Sequence, residues 1–219
     1  MTRLIIAPHV DDDVLGCASM IDADAVTLYC GVDAFHEVSS EERHREALAV
    51  QEARGNAIWW PTTTPCDSVR CHHYETKRAV NEYDVPSLIA DITSAINVYR
   101  ADEVLIPWPS YNQDHRAVYE AAMVALRPHD RNYFVRTVLV YEGSQVNFWD
   151  WAQPGTAFRP NYFVPVDIES KIALYSLMAS QVRPFRSPEH LRALAAVRGG
   201  EIGAEYAEAF MALRMVVEA

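Results

Sequence analysis

A chain of 219 residues, half of them hydrophobic and only 22 % charged, is long enough to fill one substantial core and is not a disordered chain. Its formal net charge of −11, with no run of lysine or arginine, gives it no general attraction for nucleic acid or anionic membranes and reads as solubility. The cysteines Cys17, Cys30, Cys66 and Cys71 sit in unlike contexts and make no disulfide framework. The N-terminus lacks a signal pattern and no stretch reaches the roughly 18 apolar residues of a membrane span, so a cytoplasmic protein is expected.

Residues 3–7, RLIIA, form an apolar run halted by Pro8 and predict a buried strand. Residues 12–23 predict a helix with acids in its first turn, where they suit the helix dipole. A second buried strand is expected over 25–31. A helix follows from Ser39 to Arg54, opened by the capping box Ser39-x-x-Glu42 and stopped by Gly55. NAIWW (56–60) reads as the third strand and 61–83 as loop. Asp84 and Pro86 open a helix to Arg100, with Leu88, Ile89, Ile92, Ile96 and Tyr99 at helical spacing. EVLIP (103–107) is the fourth strand, 108–114 a loop, His115 to Leu126 a helix, and 135–141 the fifth strand. Beyond, 145–165 predict loops and short extra strands. Helices are expected over 167–179 and 187–198, the second broken by Gly199, Gly200 and Gly203.

Strands alternating with helices imply right-handed βαβ units. The expected fold class is therefore α/β, a Rossmann-like three-layer sandwich with a mostly parallel central sheet. No linker is visible, so one domain over 1–219 is expected. Residues 1–143 would form its Rossmann-like core, and 144–219 would complete it with strands and helices.

The first strand runs into Pro8-His9-Val10-Asp11-Asp12-Asp13. Ligands in open α/β sheets bind beyond the carboxyl ends of the strands. Three adjacent carboxylates beside an imidazole repel one another unless a cation joins them. A second polar cluster, Trp108 to His115, follows the fourth strand. If strands one and four are neighbours, both loops face one crevice. His9, Asp12 and His115 then make a two-histidine, one-carboxylate set, the three-ligand pattern of catalytic zinc. A cation there brings the pKa of water to about 7. A glycine-rich dinucleotide turn is absent from this position.

APHVDDDVLGC resembles the A-H-P-D-D-E-x-x-x-G-C/G signature of the PIG-L/LmbE-like N-deacetylases, and NQDHRAV (112–118) resembles their H-x-D-H motif. The likeness continues through Arg43-x-x-Glu46, ADEVLIP (101–107), VPVDIESKIALYSLMASQ (164–181) and RGGEIGAEYAEAF (198–210). The resemblance implies a zinc-dependent enzyme that removes an acetyl group from an amino sugar, glycoside or glycosylated small metabolite. In those family roles His9, Asp12 and His115 are the metal ligands and Asp11 is the general base. Such a site also accepts iron, manganese or cobalt. Three residues depart from the pattern: Val10 replaces proline, Asp13 replaces glutamate, and Asn112 replaces the first histidine of H-x-D-H. That histidine resembles an oxyanion-stabilising group. Asn112 is accordingly a candidate donor to the oxyanion, and Asp114 is a candidate catalytic residue whose usual partner is missing.

Arg43 is a candidate substrate contact, with an ion pair to Glu46 at i+3 as the alternative. Tyr111 is expected to line the pocket. Cys66, Cys71, His72 and His73 have poor spacing for a structural zinc site and read as a substrate-rim loop. Trp108, Phe148, Trp149, Trp151 and Phe158 serve either sugar stacking or packing. The expected partner is a small N-acetylated substrate, with neither nucleic acid nor membrane, and with a homo-oligomer open. A non-sugar N-acyl amide and a degenerate binding protein are the alternative readings.

Overall fold

Strand β1 (Arg3–Ala7) is buried along nearly its whole length, as an apolar run without alternation must be when both its faces are covered. It lies at the centre of a parallel set with β2 (Ala25–Tyr29), β3 (Ala57–Trp59), β4 (Glu103–Pro107) and β5 (Thr137–Tyr141). Strand β7 (Ala207–Met215), antiparallel to β5, and β6 (Tyr162–Pro165), antiparallel to β7, extend the sheet. The order across its seven strands is β3-β2-β1-β4-β5-β7-β6. The computed structural model describes residues 1–31, 38–60, 80, 84–129, 133–143 and 157–217. The expected loop 61–83, with Cys66, Cys71, His72 and His73, lies outside the described residues except at residue 80, and Phe148, Trp149 and Trp151 lie outside them too.

Among the described residues, six α-helices pack on the sheet: α1 (Asp12–Cys17), α2 (Ser40–Arg54), α3 (Val85–Tyr99), α4 (Gln113–Ala125), α5 (Ile168–Ser176) and α6 (Pro188–Gly200). Alternate residues of each strand serve opposite faces. Leu4, Ile6, Val104 and Ile106 meet Leu88, Ile92 and Ile96 of α3 and Val118 and Ala122 of α4. Ile5, Ala7, Leu105 and Leu139 meet Val14 and Leu15 of α1, Ala47 and Val50 of α2, Leu174 of α5 and Leu191 of α6. The result is the expected three-layer α/β sandwich. Among the described residues no helix is long and apolar enough to cross a membrane.

Local signals act where the sequence placed them. Ser39 Oγ accepts from the Glu42 amide at 3.1 Å, and Gly55, at φ 73°, ends α2. The Asp84 side chain caps α3, which has proline in its first turn.

Four elements differ from expectation. The helix expected over 12–23 is α-helical only to Cys17 and continues as a 3₁₀ turn, Ala18–Met20. The reason is remote: Glu208 of β7 accepts the Ala18 and Ser19 amides at 2.9 Å each, donors a longer α-helix would need. Helix α4 begins at Gln113 rather than His115, because Asn112 supplies the cap. Gly199 and Gly200 end α6 from inside it, and the chain turns at Gly203, at φ 73°. A Cβ on Gly199 would lie 2.6 Å from the Ala204 carbonyl oxygen, so this glycine allows the turn to fold back. Strand β7 had no expected counterpart. Its AEAFMALRM sequence is rich in helix formers, and only its slot between β5 and β6 makes it a strand.

Candidate metal and catalytic site

Strand order reverses between β1 and β4, which pair directly through Arg3–Glu103, Leu4–Val104 and Ile5–Leu105. This is the switch point at which two strand-to-helix loops diverge and leave a crevice. The loop after β1 carries His9 to Asp12, and the loop after β4 carries Trp108 to Asn112 and then α4.

His9, Asp12 and His115 converge here. One ligand atom from each lies within 4.8 Å of the others. Asp12 Oδ2 accepts the His9 amide at 2.9 Å and stands 3.3 Å from His9 Nδ1, while Asp12 Oδ1 stands 3.3 Å from His115 Nε2. The His9 Nε2 pairs with Asp114 Oδ2 at 2.9 Å, leaving Nδ1 turned toward Asp12. A carboxylate on the far nitrogen of a ligating histidine fixes its ring and raises its basicity. Burial disfavours the charged imidazole of His9. Hydrogen bonds to Asp114 and Asp12, with the charges of Asp12 and Asp11, outweigh that and push its pKa up to about 10. Burial likewise opposes the Asp12 charge, but His115 and His9 hold its carboxyl well below the usual range. Two imidazoles and one carboxylate, converging with His9 and Asp12 buried and His115 partly so, fit a divalent cation with coordination positions left over.

Asp11 stands at the N-cap of α1, yet its side chain makes no capping bond, so both oxygens serve the site. Its Oδ2 accepts from Arg186 Nη1 at 2.9 Å, and its Oδ1 lies 3.5 Å from Arg43 Nη2. Arg43 is buried on α2, with its Nη1 3.5 Å from Glu46 Oε2. The expected i+3 pair is therefore present, and the same guanidinium also faces Asp11. Arg43 Nε and Arg186 Nε have no hydrogen-bond partner among the described residues.

Asp13 points away from the crevice into the core, where the Tyr29 hydroxyl donates to its Oδ2 at 2.7 Å. Burial pushes its carboxyl up to about 7. The bond from Tyr29 opposes this shift, and the Asp11 and Asp12 charges add to it. Val10, in place of the family's proline, is buried in the core. Asn112 Oδ1 accepts the Asp114 amide at 2.8 Å, so its carbonyl end is engaged as the α4 cap. Tyr111 is partly exposed and lies within electrostatic reach of Arg186. Trp108 packs edge-on to Phe158 at 5.4 Å between ring centres.

The structure thus brings together His9, Asp11, Asp12, Asp114 and His115, with Arg43 behind them. Sequence reasoning missed two contacts. Arg186 lies 175 residues from Asp11, between the two C-terminal stretches that carried the family resemblance, and no spacing signal could have linked it to the site. Asp114, left without its usual partner by Asn112 in the sequence reading, here holds His9. The only available signal was the acidic residue beside a ligand histidine.

No family model matches the chain, and no curated protein matches it in sequence. Solved structures do match. The N,N'-diacetylchitobiose deacetylase of Pyrococcus horikoshii superposes with a TM-score of 0.70 at 18 % identity, over 97 % of this chain and 84 % of that one. The chain shares the fold of that deacetylase. Teicoplanin deacetylase Orf2, in a zinc-inhibited form, gives a TM-score of 0.66 at 18 % identity over 100 % of both chains. The 4-carboxy-2-hydroxymuconate hydratase of Pseudomonas putida shares the fold equally well, with a TM-score of 0.67 at 18 % identity over 100 % of this chain and 99 % of that one.

Proposed function

We propose that this protein is a metal-dependent hydrolase of the PIG-L/LmbE-like family. It would remove an N-acetyl group from an amino sugar, glycoside or glycosylated small metabolite in the cytoplasm. The observation that carries the reading is the convergence of His9, Asp12 and His115 within 4.8 Å, with the Asp11 carboxylate beside them at the switch point of the sheet. The two deacetylases of the same fold support the substrate class.

Zinc is the proposed cation, held by His9, Asp12 and His115. When bound, it supplies Lewis acidity, acidifying a water and polarising the amide oxygen. Asp11 would accept a proton from the attacking water as the water's oxygen adds to the acetyl carbon. It returns the proton to the departing nitrogen when the carbon–nitrogen bond breaks, so the products are acetate and a free amine. Asp114 keeps the His9 ring aimed. Tyr111 and Arg43 are the candidate substrate contacts. Asn112 retains amide donors but no titratable proton, so its contribution to the oxyanion is at most a hydrogen bond.

That missing imidazole, with a hydratase among the equally similar folds, favours one second reading: addition of water to an activated double bond by the same Asp11. A substrate panel separates the two. N-acetylated amino sugars and glycosides, N-acyl amino acids and unsaturated carboxylic acids are incubated with zinc-loaded protein, and acetate, free amine and loss of the double bond are measured. Acetate with free amine is expected from the sugar members. In Asp11→Asn, turnover should fall by about 10²–10⁴-fold while one metal per chain remains by elemental analysis. Native turnover in that variant would remove Asp11 as the base.

A further inference from the structure

Five side chains close a ring with Asp11. From Asp11 Oδ1 the ring runs 3.5 Å to Arg43 Nη2, and from Arg43 Nη1 3.5 Å to Glu46 Oε2. Glu46 accepts the Ser180 amide at 2.8 Å and the Ser180 hydroxyl at 2.7 Å. Ser180 Oγ in turn accepts from Gln181 Nε2 at 2.9 Å. Gln181 Oε1 accepts from Arg186 Nη2 at 3.3 Å, and Arg186 Nη1 donates to Asp11 Oδ2 at 2.9 Å, completing the circuit.

The ring ties together three separate parts of the fold. Asp11 comes from the turn after β1, Arg43 and Glu46 from α2, and Ser180 and Gln181 from a 3₁₀ turn, Ala179–Gln181. Arg186 comes from the tight turn that follows, closed by its amide on the Arg183 carbonyl at 2.9 Å. The turn is anchored from below, because the Tyr175 hydroxyl of α5 donates to the Gln181 carbonyl at 2.6 Å. Asp11, Arg43, Glu46 and Gln181 are all buried.

A general base acts only when its oxygen stays within about 2.6–3.2 Å of the proton's owner, and misplacement by about 1 Å is costly. Donors on opposite oxygens fix the carboxylate's rotation. Of the two here, Arg43 at 3.5 Å is beyond a good hydrogen bond, whereas Arg186 at 2.9 Å is within one. The planar fork of Arg186 also spans two partners at once, Asp11 and Gln181, which an ammonium holds less rigidly.

We propose that Arg186 is a positioning residue for Asp11, holding the carboxylate at the metal site through the ring it closes with Gln181, Ser180, Glu46 and Arg43. The inference rests on the reading of Asp11 as the general base.

Two measurements test it, one of them independent of turnover. With the best substrate of the panel, Arg186→Ala should lower kcat by about 10–100-fold, leave KM within about threefold and keep one metal per chain. Arg186→Lys should recover part of the loss, since it restores charge without the fork. Separately, Arg186→Ala should lower the Tm of the native protein by several degrees, but leave unchanged or raise that of Asp11→Ala, in which the guanidinium has lost its partner. A raised KM with unchanged kcat would make Arg186 a substrate contact instead. Equal Tm losses in both backgrounds would mean it does not act through Asp11. Either result overturns the proposal. If the native protein turns over no member of the panel, the functional reading fails, while the Tm cycle still decides whether Arg186 holds Asp11.

Discussion

His9 lies between two carboxylates, and its proton competes with any cation. Its pKa, about 10 in the metal-free protein against an ordinary 6.5, sets the sign. Between pH 6.5 and 10 the metal-free fold holds a proton that a ligating imidazole must lose. Zinc binding at pH 7.5 should therefore release about one proton from His9, and affinity should climb by up to about tenfold per pH unit across that window. Calorimetry in buffers of different ionisation enthalpy measures the release, and a buffer-independent heat would contradict it. The raised pKa also stabilises the metal-free fold: the contribution is complete below pH 6.5 and is lost as the pH rises through 10. Gly16 is a second residue-scale constraint. A Cβ there would meet Tyr141 Cδ2 at 2.3 Å, and that ring is pinned by its hydroxyl on the Ile6 carbonyl at 2.9 Å. Gly16→Ala should cost about 1–3 kcal/mol in denaturant unfolding, because α1 must lift from β5. An unchanged midpoint would show that the ring gives way freely.

Helix α1, which begins at the proposed ligand Asp12, is short, and its far end is held by elements from the other end of the chain. Lys171 of α5 is buried and donates from Nζ to the Leu15 carbonyl at 2.7 Å and to Glu208 Oε1 at 2.6 Å. Glu208 of β7 accepts the amides of Ala18 and Ser19 and the Ser19 hydroxyl. One carboxylate thus ends α1, starts the 3₁₀ turn and neutralises a buried ammonium. Lys171→Met would strand that carboxylate, and urea unfolding should show a loss of about 3–5 kcal/mol. A loss below about 1 kcal/mol would mean that the backbone amides alone satisfy Glu208. None of this was legible locally. Read by itself, DDVLGCASMIDA continues as helix to residue 23, and what stops it is 190 residues away in sequence.

Across the whole molecule, the local sequence determined whatever depends on neighbours along the chain. The apolar runs at 3–7 and 103–107 became central strands, Ser39, Asp84 and Gly55 set helix ends, and strands alternating with helices gave a parallel sheet. The motifs also named residues that the fold gathers, because His9 and Asp12 share one turn and His115 lies in the first turn of a helix after another strand of the same sheet. Tertiary structure alone decided the pairing of β1 with β4, which turned two motifs into one site. It also decided the strand character of β7, whose residues favour a helix until a sheet edge offers them hydrogen bonds. Last, it gave Asp11 and His9 their partners Arg186 and Asp114. Propensity and capping act over a few residues, so one sequence displays them. A contact between groups 105 or 175 residues apart exists only once burial has closed the loops between them, and no local pattern encodes it.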